Sequence, residues 1–187
     1  MMTHLRLLFL SLAALVLVAS CSPVVQQAGS ENGEPMLNDR YLDTADGMRL
    51  PVKTWEAEET RAVLIAVHGF NDYSNTYAFP GSWWMGQGLT TIAYDQRGFG
   101  EAPNFGIWPG QELLVKDLAV MVREVREKYP GKPVYLIGES MGGAVVMTAV
   151  TSEGFPEVDG VILSAPAVWG WKSLNIFYKA VLWTAAH

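Results

Sequence analysis

The sequence predicts an α/β fold: a doubly wound, mostly parallel β-sheet with helices on both faces. Apolar runs typical of strands buried on both faces occur at 61–67, 90–94, 134–137 and 161–164. Stretches of helical character separate these runs. Strands that alternate with helices imply parallel strands joined by right-handed crossovers.

The first 20 residues are interpreted as the signal peptide of a lipoprotein. An apolar run of 12 residues, 7–18, follows the polar residues His4 and Arg6. Its length fits a signal-peptide core and is too short to span a bilayer. Residues 17–21, Leu-Val-Ala-Ser-Cys, resemble a bacterial lipobox, in which Cys21 is lipidated and becomes the new N-terminus. A plain signal peptide cut nearby and an uncleaved anchor are the alternatives.

The lipobox predicts a membrane-anchored lipoprotein of the bacterial cell envelope, and Ser22 favours the outer over the inner membrane. Residues 21–38 are predicted to comprise the lipidated cysteine and a flexible tether, because 22–38 is rich in Gln, Ser, Asn, Gly and Pro. As a random coil this stretch spans about 20–25 Å. Nucleic-acid binding is excluded, since the formal net charge is −6 and the charges are interspersed.

The folded domain is predicted to begin at residue 39. A β-hairpin is expected over 41–55, because Asp46-Gly47 is a strong turn signal between two alternating runs. The buried strand 61–67 ends in His68-Gly69-Phe70. A helix over 77–88 and the strand 90–94 follow.

The clearest helix is predicted over 111–129. Six apolar residues lie on one of its faces at helical spacing: Leu114, Leu118, Met121, Val122, Val125 and Tyr129. Three pairs of opposite charge at i,i+4 are expected to support it: Glu112–Lys116, Arg123–Glu127 and Glu124–Lys128. A strand from Val134, a helix to about Thr151 and a buried strand over 161–164 complete the predicted core.

A sharp turn is predicted between the strand at Val134 and the helix that follows it. Residues 138–142, Gly-Glu-Ser-Met-Gly, fit the pattern G-x-S-x-G of a nucleophile elbow. In such an elbow the serine lies on a strained turn, and the helix start directs N–H groups toward a developing oxyanion. Ser140 is therefore the candidate nucleophile. An ordinary glycine-rich turn is the alternative that the pentapeptide alone leaves open.

Two further polar turns, at His68 and Asp95, directly follow predicted strands. Ligands gather at the carboxyl ends of parallel strands, where His68, Asp95 and Ser140 are all predicted to lie. Acyl transfer requires a nucleophile, two oxyanion donors, a general base and an acid that orients this base. The backbone N–H groups of Met141 and Phe70 are the expected donors. His68 is expected to shape the loop rather than to act as the base.

These motifs resemble those of α/β-hydrolases, and most closely the monoacylglycerol lipase and lysophospholipase group, which is also grouped with the S33 serine aminopeptidases. The resemblance covers residues 39–167. It implies an eight-stranded sheet with a cap after the sixth strand, so that 168–187 would begin the cap. It also implies that Ser140 is the nucleophile, that Phe70 and Met141 supply the oxyanion donors, and that Asp95 and Arg97 are structural.

The same resemblance places a triad acid and a histidine after later strands. No Asp or Glu follows Asp159, and the only later histidine is the last residue, His187. The chain is therefore expected to be truncated after about six strands, with the acid and the base absent. We expect this chain alone to be inactive. We also expect it to be poorly soluble, because 161–164 would become an exposed sheet edge.

A helical apolar stripe is predicted near the end of the chain, formed by Trp169, Trp171, Leu174, Phe177, Tyr178, Val181, Leu182 and Ala185. It is interpreted as a cap helix that packs on the core. A surface that faces an acyl chain or a membrane is the alternative.

The predicted function is hydrolysis of carboxylic esters through an acyl-enzyme on Ser140. Monoacylglycerols or lysophospholipids are the expected substrates, and neither a metal nor an organic cofactor is implied. The expected partners are a lipid-like ester and the membrane that holds Cys21. The alternatives are an S33-type aminopeptidase or other acyl hydrolase, and a non-catalytic, membrane-tethered binding module.

Overall fold

A computed structural model describes residues 24–168, 170 and 174–186. Within them lies a sheet with the strand order β1-β2-β3-β5-β4-β6-β7. The strands are β1 (Met36–Leu37), β2 (Tyr41–Asp43), β3 (Arg49–Trp55), β4 (Ala62–Val67), β5 (Leu89–Tyr94), β6 (Val134–Glu139) and β7 (Gly160–Ser164). The pairs among β1, β2, β3 and β5 are antiparallel, and β5, β4, β6 and β7 are parallel neighbours. The predicted doubly wound, mostly parallel α/β-sheet is thereby confirmed.

Four α-helices are described: α1 (Ala78–Met85), α2 (Gly110–Lys128), α3 (Met141–Val150) and α4 (Ile176–Ala186). A short 3₁₀ turn, Ser74–Tyr77, precedes α1. The strong helix expected over 111–129 thus forms within a residue of its predicted bounds, and the six residues of its apolar face contribute to the core. The predicted hairpin also forms, with Leu42 opposite Leu50 and a turn at Gly47.

The two faces of the central strands are covered by different elements. Because side chains alternate along a strand, Val63, Ile65 and Val67 face one side of β4, where they join the cluster that includes α2 and α3. Leu64 and Ala66 face the other side and pack with Tyr77. All six residues of β4 are buried, as expected for a strand covered on both faces.

The segment predicted to be a flexible tether packs against the domain, so this prediction is wrong for the residues described. Val25 forms a parallel bridge with Trp108, and Gln26 is buried. Met36–Leu37 adds a strand to the sheet. The polar composition of the segment suggested a coil. Its polar groups instead bond to residues that are distant in the sequence, and no local pattern reveals such contacts. Cys21 and the predicted signal peptide, 1–20, lie outside the described residues.

Residues 31–39 take three of the charges that were expected to pair within α2. Lys116 forms an ion pair with Glu31 and Lys128 with Asp39, while Glu124 accepts a hydrogen bond from the N–H of Leu37. The predicted pairs Glu112–Lys116 and Glu124–Lys128 are therefore replaced by contacts between α2 and residues 31–39.

One prediction about the end of the chain is confirmed and another needs correction. The strand expected over 161–164 would be buried in a complete sheet and exposed in this chain, and β7 is indeed an edge strand on which Val161, Ile162 and Leu163 are 38%, 49% and 40% exposed. Helix α4 forms, yet Phe177 and Tyr178 are exposed rather than packed on the core. The other aromatic residues of the predicted stripe, Trp169 and Trp171, lie outside the described residues.

None of the helices in the described part of the chain combines the length and the apolar character that crossing a membrane requires.

Candidate active site

Ser140 occupies the turn between β6 and α3. Its backbone adopts φ 51° and ψ −115°, a conformation that is rare for a residue with a side chain. Such strain persists only where the surroundings enforce it, and it concentrates at functional sites. The strand, turn and helix that the sequence predicted around Ser140 are all present.

Two glycines of the elbow are required by close backbone approach. A Cβ on Gly138 would lie 2.5 Å from the carbonyl oxygen of Gly142. A Cβ on Gly142 would lie 2.5 Å from the carbonyl oxygen of His68 and closer still to that of Val67. Helix α3 therefore begins directly against the end of β4, which brings the turn after β4 to the elbow.

The segment that follows β7 fixes the elbow from its other side. The N–H of Ser140 donates to the carbonyl oxygen of Ser164 at 3.0 Å, and the N–H of Ala167 donates to the carbonyl oxygen of Ser140 at 2.8 Å. Ala165 between them has a φ of 42°. These bonds hold the strained turn, so the geometry of the candidate nucleophile depends on the edge strand as well as on β6.

The turn after β4 lies next to the serine side chain. A Cβ placed on Gly69 would be 3.4 Å from the Cβ of Ser140 and 4.0 Å from its Oγ. No acceptor in the described part of the chain is bonded to the N–H of Phe70 or to that of Met141. The two predicted oxyanion donors are thus unbonded N–H groups on the two turns that meet at Ser140.

His68 is fully buried, and both of its ring nitrogens are engaged. Nε2 accepts a hydrogen bond from the N–H of Gln96 at 3.0 Å, so the ring proton is on Nδ1, which lies 2.8 Å from the carbonyl oxygen of Gly69. Burial lowers the pKa of His68 below its ordinary value. The imidazole therefore fixes the turn and offers no free lone pair to Ser140.

Asp95 is also committed to backbone contacts. Its Oδ1 accepts from the N–H of Ser74 and its Oδ2 from the N–H of Glu101, both at 2.8 Å. The carboxylate joins the start of the 3₁₀ turn to the loop after β5. This arrangement matches the structural role that the resemblance implied.

Arg97 is buried and lies between two carboxylates. Its guanidinium contacts Asp117 through Nε and Nη2 at 2.7 and 2.5 Å, and Asp46 through Nη1 and Nη2 at 2.7 and 3.2 Å. The hydrogen bonds from Arg97 hold the pKa of Asp46 below its ordinary range. Burial outweighs the same cation at Asp117 and raises the pKa of that carboxyl to about 6, because one charge cannot fully compensate two buried acids.

An aromatic wall adjoins the turn that carries Phe70. The Phe99 ring meets Phe70 edge-on at 5.5 Å, His68 at 5.8 Å and Trp108 at 6.4 Å between centroids. An apolar cavity of about 160 Å³ lies between this wall and Phe105. A second, of about 140 Å³, lies between Trp108 and the first turns of α3, including Met141.

Sequence reasoning missed several residues that support the site. Phe99 and Trp108 lie outside every predicted strand and helix, and Gln26 lies in the predicted tether. Asp117 could have been found, because an acid on the apolar face of a helix indicates a buried partner. His187, the one histidine after the elbow, lies outside the described residues. Among those that are described, no cluster of three or more His, Cys, Asp or Glu side chains could hold a metal ion.

Comparison with known proteins identifies related chains. The model of the serine aminopeptidase S33 family matches residues 58–187. A human monoglyceride lipase is 34% identical over 137 residues, which cover 68% of this chain and 43% of that protein. The phospholipase YtpA of Bacillus subtilis is 27% identical over 120 residues, or 62% of this chain and 44% of that protein. The chain thus spans less than half the length of the curated relatives it matches.

The fold has counterparts among solved structures. A soluble variant of monoglyceride lipase from Saccharomyces cerevisiae, in complex with a substrate analogue, superimposes with a TM-score of 0.58 at 22% identity. The match covers 78% of this chain and 48% of that one. At this level of identity the likeness concerns the fold alone.

Proposed function

The chain belongs to the serine aminopeptidase S33 family of α/β-hydrolases, and from this premise we propose that Ser140 is the nucleophile of a lipolytic carboxylic-ester hydrolase. The observation that carries the proposal is the strained Ser140, whose side chain lies beside the turn of Gly69 and Phe70. A non-glycine residue at positive φ between a strand and a helix has no evident structural purpose here.

The proposed reaction proceeds through an acyl-enzyme. Ser140 Oγ attacks the ester carbonyl carbon as a general base takes its proton, and the carbonyl oxygen becomes an oxyanion. The N–H groups of Phe70 and Met141 donate to this oxyanion, which stabilises charge that is absent from the ground state. The intermediate collapses, and the alcohol leaves with the proton. Water then repeats the sequence on the acyl-enzyme, which releases the fatty acid and regenerates Ser140.

The general base and the acid that orients it form a further part of the proposal. His68 is excluded by its two hydrogen bonds, and Asp95 by its two backbone donors. Ser140 Oγ has no hydrogen-bonded partner within the part of the chain that the structure describes. We propose that sequence beyond these 187 residues supplies both groups, and that the chain by itself does not turn over esters.

The apolar surroundings of the site support a lipid-like ester as the substrate. Phe70, Phe105 and Trp108 are 68%, 67% and 40% exposed around the small cavities beside the elbow. Apolar walls with a few polar groups are typical of sites for lipid-like ligands. Monoacylglycerols and lysophospholipids combine one acyl chain with a polar head, and the human relative is named for monoglycerides.

Hydrolysis of a monoacylglycerol by the intact gene product tests the proposal. The wild type is expected to release fatty acid, and Ser140→Ala to lower turnover on the order of 10⁶-fold. Ser82→Ala is the matched control, because this exposed hydroxyl only donates to the carbonyl oxygen of Ala78 within α1. Equal turnover by wild type and Ser140→Ala would remove Ser140 from the mechanism.

An aminopeptidase is the second candidate, because the matching family model carries that description. Release of an aromatic amine from aminoacyl anilides faster than release of fatty acid would favour it. A non-catalytic binding module is the third candidate. If the protein is a binding module, the intact gene product is expected to hydrolyse neither esters nor aminoacyl anilides.

We also propose that Cys21 is lipidated and anchors the protein in the bacterial cell envelope, preferably in the outer membrane. The order Leu-Val-Ala-Ser-Cys at residues 17–21 supports this. Metabolic labelling with a fatty acid is expected to mark the wild type and not Cys21→Ala. Equal labelling of both would exclude Cys21 as the acceptor.

A further inference from the structure

We propose that Gln26 is a positioning residue for the turn after β4, His68-Gly69-Phe70, which we call the oxyanion turn. Gln26 acts through the loop that carries Phe99 and Trp108. The inference rests on the proposed function, since it concerns the placement of the Phe70 N–H. It assigns a positioning role to a segment that precedes the family match at residues 58–187.

Gln26 is the buried member of an exposed stretch. It is 8% exposed, whereas Val25 is 39% exposed. Its backbone N–H donates to the carbonyl oxygen of Trp108 at 2.9 Å. Its side-chain Nε2 donates to the carbonyl oxygen of Ile107 at 2.6 Å, and its Oε1 accepts from Asn104 Nδ2 at 3.3 Å. One residue thus bonds to three positions of a single loop.

The loop that Gln26 holds closes back on Gly98, in the turn after β5. The N–H of Gly106 donates to the carbonyl oxygen of Gly98 at 2.9 Å. A Cβ on Gly98 would lie 2.5 Å from the carbonyl oxygen of Ile107 and 2.9 Å from Gln26 Nε2. The Gln26 side chain therefore packs directly on the junction between β5 and the loop, beside Phe99.

Phe99 transmits this placement to the oxyanion turn. Phe99 is 7% exposed, and its ring meets both Trp108 and Phe70 edge-on. Such pairs fix relative orientation as well as burying area. Because Phe70 is 68% exposed, this contact constrains the turn that presents the Phe70 N–H in addition to the hydrogen bond between His68 and the carbonyl oxygen of Gly69.

The residues that follow Gln26 are also bonded to the domain, so the chain is fixed on the C-terminal side of Gln26. The N–H of Gly29 donates to Asp46 Oδ2 at 3.4 Å, and the N–H of Gly33 donates to the carbonyl oxygen of Ala45 at 2.9 Å. Asp46 is also a partner of Arg97. The segment therefore has two fixed points on the turn between β2 and β3, in addition to the loop that Gln26 holds.

The test compares Gln26→Ala with Gln27→Ala in the intact gene product. Gln27 is the matched control, because its side chain is exposed and contacts only the carbonyl oxygen of Val25. Gln26→Ala is expected to lower kcat for p-nitrophenyl acetate on the order of tenfold with little change in KM, because the donor is displaced rather than removed. Gln26→Glu is expected to be as slow, since it cannot donate to the Ile107 carbonyl. Gln27→Ala is expected to match the wild type.

A second readout does not depend on turnover. The backbone amide resonance of Phe70 is expected to shift in Gln26→Ala and to stay in place in Gln27→Ala. An unchanged Phe70 amide, or a lower melting temperature with full kcat at 20 °C, would overturn the inference. A shifted amide in a protein whose wild type hydrolyses no ester would uphold the coupling and overturn the proposed function alone.

Discussion

The Nε2 atom of His68 accepts a hydrogen bond from the backbone N–H of Gln96 at 3.0 Å. This bond joins the turns that follow β4 and β5, and it uses the ring lone pair that a general base would need. The histidine closest in sequence to Phe70, the proposed oxyanion donor, is therefore part of the scaffold.

His68 is expected to titrate at a lower pH than a free histidine. Burial lowers its pKa below the ordinary value, so the folded state binds the proton less readily than the unfolded state. Its contribution to the free energy of unfolding is present above the ordinary histidine pKa and is lost as the pH falls through the folded pKa. The midpoint of its titration, followed by the NMR shift of its ring Cε1–H, is expected to lie below that of a free histidine. A midpoint at or above 6.5 would show a solvated ring that is free to act as a base.

Gly142→Ala is expected to inactivate the elbow. The added methyl group would meet the carbonyl oxygens of Val67 and His68, both of which are backbone atoms and cannot move aside. We expect Ser140 to lose its labelling by a fluorophosphonate. We also expect the fold to be destabilised by about 1–3 kcal/mol, as at other overpacked sites. Gly86→Ala is the control, because Gly86 has φ −66° and a Cβ there would meet no atom closer than 3.4 Å. Full labelling of Gly142→Ala would mean that α3 can shift along β4.

Arg97→Met is expected to destabilise the fold by about 3–5 kcal/mol, because it leaves Asp46 and Asp117 buried without their cation. Arg49→Met removes an ion pair with Asp43 in which the arginine side chain is 62% exposed. It is expected to cost less than about 1 kcal/mol. Urea denaturation measures both. Similar costs for the two variants would show that the Arg97 cluster contributes no more than a surface pair.

Asp117 is expected to make the protein less stable as the pH rises. Its pKa is raised by burial to about 6, so its contribution to the free energy of unfolding is fully present below pH 3.8 and is lost as the pH rises through 6. The stability of the wild type relative to Asp117→Asn should fall by roughly 1–3 kcal/mol between pH 4 and pH 7.

Asp46 has the opposite dependence, since its lowered pKa contributes stability that is lost as the pH falls. The wild type and Asp117→Asn both retain Asp46, so the contribution of Asp46 cancels when their stabilities are compared. Glu112→Gln removes one negative charge from the exposed side of the same helix and serves as the control. A difference between wild type and Asp117→Asn that does not vary with pH would show that Asp117 is ionised throughout.

The sequence predicted the features that local chemistry determines. The elbow at Ser140 follows from small residues around one serine, and the hairpin follows from Asp46-Gly47. The buried strand β4 and the apolar face of α2 follow from hydrophobic patterning. Each of these signals is contained within about 20 residues, so a single sequence suffices to read it.

The features that the sequence did not predict depend on contacts between distant residues. Gln26 bonds to Ile107, 81 positions away, and Arg97 bonds to Asp46, 51 positions away. Residues 24–38 have the composition of a coil, and only partners that are distant in sequence, such as the carbonyl groups of Ile107 and Trp108, show that they pack against the domain.

The most direct test of the central claim is covalent labelling of the intact gene product with a fluorophosphonate, followed by mass spectrometry of its peptides. An activated serine displaces fluoride and retains the phosphonyl group. We predict one adduct per molecule, on the peptide that contains Ser140, absent from Ser140→Ala and retained in Ser82→Ala. An unlabelled wild type, or an adduct on another residue that persists in Ser140→Ala, would contradict the assignment of Ser140 as the nucleophile.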